Sequence, residues 1–137
     1  AAIFKNDPEV FTLSIHQFNN YPTWKPASGL DIDLSHGVED AEYLAKLKEG
    51  LTTSLERFKP DMLFYVAGAD PYREDQLGGL ALTLEGLVKR DRLVLEAARE
   101  RRIPAHITLA GGYAVNVDDT VTIHANTVRT AREIFKA

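Results

Sequence analysis

Two short segments carry the side chains best suited to chemistry, and each follows an apolar run. The first is Gly68-Ala69-Asp70-Pro71-Tyr72-Arg73-Glu74-Asp75-Gln76-Leu77-Gly78, and the second is Ala110-Gly111-Gly112-Tyr113. Asp70 stands just past Met62–Ala67, where a carboxylate is costly unless it is paired, hydrogen-bonded or bound to a cation. A hard or borderline cation would meet that need. Taken alone, Asp-Pro after a strand is first of all turn chemistry. Gly111-Gly112 lets a ligand approach the backbone closely, and Tyr113 can offer its hydroxyl to a developing oxyanion. The Gly-Gly-Tyr exit is neither a P-loop nor a dinucleotide fingerprint.

The remaining candidates are weaker. Four histidines, His16, His36, His106 and His124, are scattered, and no two stand four apart on a helix. Asp31 and Asp33 share a face by their spacing of two, and read as solvent-facing charges. No Gly-x-Ser-x-Gly elbow supports a serine hydrolase. The absence of cysteine excludes a disulfide scaffold, thiolate zinc ligands and a thiol nucleophile.

The elements that must position these residues follow from periodicity. Val10 to Ile15 is short and rich in β-branched and aromatic residues, as a strand is. His16 to Ser28, with Pro22, Pro26 and two asparagines, is a loop whose Phe18, Tyr21 and Trp24 are expected to pack over the core. Leu30 to Leu34 alternates apolar and acidic residues, the pattern of a strand with one wet face. A helix is expected from Asp40, with Leu44, Leu47, Leu51, Leu55 and Phe58 on one face and Lys59-Pro60 as its stop. Met62 to Ala67 reads as a parallel strand covered on both faces. A second helix starts near Leu84, turns Leu87, Val88, Val94, Leu95 and Ala98 inward, and ends in Arg99, Arg101 and Arg102, cations that suit its carboxyl end. Ala105 to Leu109 is a third apolar strand in this half. The last helix spans Val117 to Phe135, with Val121, Ala125, Val128, Ala131 and Ile134 on one stripe. Strands alternating with helices indicate an α/β structure with a mainly parallel sheet, whose ligands gather beyond the carboxyl ends of the strands.

Composition sets the outer bounds. The chain has 137 residues, is 45% hydrophobic and 26% charged, and carries a formal net charge of −4. That is one domain's worth of sequence and excludes a disordered tail. No apolar run approaches the roughly 20 residues that span a bilayer, and the acidic balance gives no general attraction to nucleic acid or anionic lipid. No leader segment is visible in these residues, and the cytoplasm is the expected compartment.

The series VFTLSIHQ, NNYP, SGLDIDLSHGVEDAEYL, PDMLFYVAGADPYREDQLGGLALTLEGL and IPAHITLAGGYA, in this order, resembles the zinc-dependent histone deacetylases and their bacterial relatives. The class IV-like branch is the most similar. The resemblance runs from Phe4 to the final helix. It implies an α/β fold of the arginase/deacetylase type, an open and mainly parallel sheet with flanking helices. By this resemblance one zinc ion polarises an amide carbonyl and a water. Asp70 matches a zinc-ligating aspartate, and Tyr113 the tyrosine that steadies the oxyanion. Gly111 and Gly112 match glycines lining a narrow channel for acyl-lysine. Ser14 and the carbonyl of Ile15 match a structural site for potassium or sodium. Asp75 matches the second acid of the segment, with a structural hydrogen-bonding role rather than metal ligation. The substrate implied is an acetylated lysine peptide or a small acetylated amine, with neither nucleic acid nor membrane as partner.

The family also has an Asp-x-His segment holding two zinc ligands and, farther upstream, a histidine pair, and residues 1–137 contain neither. The expectation is therefore the C-terminal portion of a single deacetylase-like domain, inactive alone, with the N-terminal half of that domain as its partner. A non-catalytic binding or assembly module on the same fold is the alternative. A two-metal hydrolase of the arginase type ranks last, because only Asp75 accompanies Asp70.

Overall fold

The computed structural model describes residues 1–136. After a single 3-10 turn at Ala2–Phe4 come β1 (Leu13–Gln17), β2 (Leu30–Leu34), α1 (Asp40–Arg57), β3 (Leu63–Gly68), α2 (Leu84–Glu100), β4 (Ala105–Ala110) and α3 (Val117–Phe135). The helices and the strands β2 to β4 fall where periodicity places them; β1 is shifted two to three residues downstream. The strands form two parallel pairs, β1 with β2 and β3 with β4, not one continuous sheet.

One hydrophobic core joins the pairs. Leu34, Val38, Tyr43, Leu47, Leu82, Leu87, Val94 and Ile123 are buried in it, drawn from every helix. On α1 the buried line runs Tyr43, Leu47, Gly50, Ser54, with Leu44 and Leu51 flanking it. Asp40 at the start of α1 accepts the Thr83 backbone N–H at 2.9 Å and the Thr83 hydroxyl at 2.6 Å. Thr83 in turn caps α2 by accepting the Gly86 N–H. A single carboxylate thus clamps two helix starts together.

Three expectations need correction. The strand read as covered on both faces is covered on one: Tyr65 and Ala67 face the helices, whereas Phe64 and Val66 are 68% and 65% exposed. Helices pack on the inner face, and no described element lies over the outer one. On α3 the buried residues are Ile123, Thr127 and Thr130, while Val121 and Val128 point outward. Thr127 faces inward there because α2 presents the buried Asp91 carboxylate to its hydroxyl. The loop aromatics Phe18, Tyr21 and Trp24 do not pack down, and Tyr21 is 91% exposed. Lys25 closes that loop instead, its Nζ donating to the carbonyls of Phe18, Asn20 and Pro22 at 2.7–3.1 Å. No described helix is long and apolar enough to cross a membrane.

Candidate functional site

Three loops meet past the carboxyl ends of the strands. Residues 18–25 follow β1, 69–83 follow β3, and 111–116 follow β4. The second and third are laced by backbone: Gln76 N–H donates to the Tyr113 carbonyl and Val115 N–H to the Glu74 carbonyl, both at 3.0 Å. Asp75 is the knot. Its Oδ1 accepts the N–H groups of Leu77 at 2.9 Å and Gly78 at 2.7 Å, and its Oδ2 accepts the N–H of Tyr113 at 2.6 Å. The expected structural role of Asp75 matches this geometry. Asn20 ties in the first loop, donating from Nδ2 to the Leu77 carbonyl at 3.0 Å. Tyr72 anchors the assembly to α3 through its hydroxyl on Asp119, at 3.2 Å.

Asp70 differs in kind. Its side chain is exposed and forms no ion pair among the described residues. Its Oδ1 lies where a Cβ at Gly68 would stand 2.5 Å away and one at Gly111 2.8 Å away. Gly111 has φ +60° and Gly112 φ +103°, so the chain turns through the left-handed region beside the carboxylate. Gly112 packs against Ala69 and Thr120. Crowding on one side strips part of the water from the Asp70 carboxyl and raises its pKa above the ordinary aspartate value. A backbone hydrogen bond of Asp70 itself and the Arg90 charge oppose this, and the Asp75 charge adds to it.

Asp70 also lines a cavity of about 100 Å³ with Ile15, His16, Gln17, Tyr21 and Gly79. Ile15 is thereby brought beside Asp70, whereas the Ser14 hydroxyl turns to His16 Nδ1 at 2.9 Å. The other ring nitrogen of His16 lies 2.9 Å from Asp33, so both nitrogens are engaged. Tyr113 is 61% exposed, its backbone pinned by Asp75 and its hydroxyl without a hydrogen bond among the described residues. Tyr21, which sequence reasoning placed among packing residues, lines this cavity instead. The signal available was position, since Tyr21 lies in the loop that leaves β1 at the same end.

As a metal ligand Asp70 suits one coordination position, a hard oxygen donor left unclaimed at the rim of a cavity. Among the described residues no three of His, Cys, Asp and Glu gather as a metal site would require. A complete zinc coordination sphere is therefore not supplied by these residues.

Parallel strands backed by helices, with loops converging past their carboxyl ends, make an α/β fold, and likeness to solved deacetylase structures makes it the arginase/deacetylase type. The fold aligns with the crystal structure of the HDA15 HD domain at a TM-score of 0.78 and 21% identity, over 98% of this chain and 41% of that one. Residues 1–128 match the histone deacetylase domain model, and the chain belongs to the histone deacetylase family. It is 42% identical over 135 residues to an uncharacterised protein of Picosynechococcus sp. (strain PCC 7002), covering 98% of this chain and 45% of that protein. It is 32% identical over 111 residues to histone deacetylase 2 of Arabidopsis thaliana, covering 79% of this chain and 29% of that protein. The chain spans less than half the length of either relative.

Proposed function

We propose that this chain carries one side of the active site of a zinc-dependent deacetylase that hydrolyses the acetyl amide of an acetyl-lysine peptide. One observation carries the reading: an unpaired carboxylate, Asp70, and an unengaged phenol, Tyr113, sit on two loops that Asp75 fastens together. Asp70 would provide one ligand to the zinc, and the other ligands and the general base would have to come from residues outside these 137. Zinc held there would supply Lewis-acid polarisation of the amide carbonyl and of a water. Tyr113 donates its hydroxyl to the oxygen that gains charge after water attack. Gly111 and Gly112 keep the approach to Asp70 free of side chains, and Tyr21 adds an aromatic ring to the cavity that Asp70 also lines. Ser14 Oγ and the Ile15 carbonyl offer two oxygens to a structural monovalent cation, completed from elsewhere. The bare face at Phe64 and Val66 fits the remaining part of the same domain as its cover.

The test is steady-state kinetics of the intact protein on an acetyl-lysine peptide, with Tyr113→Phe as the variant. The substitution keeps the ring and removes the hydroxyl, so stability holds. Loss of one oxyanion donor lowers kcat by about 10²–10³-fold and moves KM far less. An unchanged kcat at full zinc content would reduce Tyr113 to a packing residue. Hydrolysis of a small acetylated amine but not the peptide would move the substrate class and leave the chemistry in place.

A further inference from the structure

Arg90 and Asp91 form an ion pair in the interior, 3% and 1% exposed. Such a pair is weak evidence for stability, because apolar residues of similar volume often serve as well or better. Every partner here is nonetheless satisfied. Arg90 donates from Nε and Nη2 to Asp91 Oδ1 at 2.9 and 2.8 Å. The Tyr65 hydroxyl of β3 donates to the same oxygen at 2.5 Å, and the Thr127 hydroxyl of α3 donates to Oδ2 at 2.6 Å. Tyr43 of α1 lies against the guanidinium.

The remaining bond points at the candidate site. Arg90 Nη1 donates to the carbonyl of Gly68, the last residue of β3, at 2.5 Å. The other half of that peptide unit, the Ala69 N–H, donates to the Ala110 carbonyl at 2.9 Å. Both ends of the Gly68–Ala69 peptide are therefore held, one from α2 and one from β4. This is the unit over which the Asp70 carboxylate lies, since Oδ1 occupies the space a Gly68 side chain would need. We infer that Arg90, locked by Asp91, is a positioning residue: it fixes the peptide that aims Asp70, and so sets the site from the interior. The inference rests on the reading of Asp70 as a metal ligand.

The test uses the intact protein and the double variant Arg90→Met/Asp91→Leu, which removes both charges together and leaves no buried ion behind. Expected are a retained fold, a zinc affinity about tenfold weaker by chelator competition, and a lower kcat on an acetyl-lysine peptide with little change in KM. Thr127→Val removes a bond to Asp91 without touching Gly68 and should leave zinc affinity as it was. Arg90→Lys, which keeps the charge beside Asp91 but gives up the fork, should weaken zinc in the same direction and covers the case of a double variant that does not fold. Asp70→Asn separates the two ideas. If it abolishes zinc binding while the Arg90 variants bind zinc as tightly as the parent, the positioning role is overturned and the ligand reading stands. If Asp70→Asn leaves zinc bound, the ligand reading falls and this inference with it.

Discussion

Asp70 and Asp75 lie five residues apart on one loop and have opposite lives. Asp75 is buried and spends both oxygens on three backbone N–H groups. Asp70 is exposed, forms no ion pair among the described residues, and sits in a recess that glycines keep open. A carboxylate that accepts three backbone donors is a fastener, because moving it would strand those donors. A crowded carboxylate with no ion-pair partner in contact is held in a state that a cation or a proton relieves. The two positions teach that spacing alone does not separate a structural acid from a functional one; the direction of neighbouring N–H groups does.

The largest expected effect breaks the comparison at Asp70. Asp70→Ala in the intact protein should bring peptide deacetylation down to the uncatalysed background and remove the zinc, with the thermal transition nearly unchanged. Metal analysis of the purified variant beside its melting curve is the check. Retention of zinc would show that Asp70 is no ligand.

Asp75→Ala should reverse that pattern. Stability falls by roughly 3 kcal/mol as three backbone donors lose a charged acceptor, with partial relief from water. For a domain of this size that is a drop in Tm of roughly 10 °C. Zinc remains bound at low temperature, and kcat falls only as far as Tyr113 is displaced. A stable variant with lost zinc would exchange the roles of the two acids.

Much of this contrast was legible in the sequence, and its limits have physical causes. Periodicity located α1, α2 and α3, because α1 and α2 each bury a helical stripe against strands and α3 buries one against α2. The loop ends at Asp70 and Tyr113 were legible because Gly and Pro punctuate them. The inward face of α3 was not. Val121 and Val128 outweigh Thr127 on any hydrophobic scale, yet Thr127 is buried because Asp91 awaits its hydroxyl. Asp91 itself sits in a charged run, Lys89-Arg90-Asp91-Arg92, whose spacing does not mark any member as buried. A buried ion pair is visible only once both partners are seen to be satisfied by groups distant in sequence. Tyr21 was misplaced for a related reason: aromatic character argues for packing, whereas Lys25 organises the loop and leaves the ring free.

The smallest effect sharpens the comparison through pH. Asp70 has its pKa raised in the fold, first by lost hydration and then by the Asp75 charge. The folded state thus holds the Asp70 proton more tightly than the unfolded chain does, and the charged form is the one penalised. At neutral pH the carboxylate therefore lowers stability slightly in metal-free protein. Asp70→Asn removes the charge and should raise Tm there by a small amount. As pH falls through the raised pKa toward the ordinary value of about 3.9, Asp70 takes up its proton and the advantage of asparagine disappears. Paired melting curves of metal-free parent and variant across that window are the measurement. A difference that grows on acidification would mean that Asp70 is stabilised as an anion by a partner in the fold, and the contrast with Asp75 would then be one of degree.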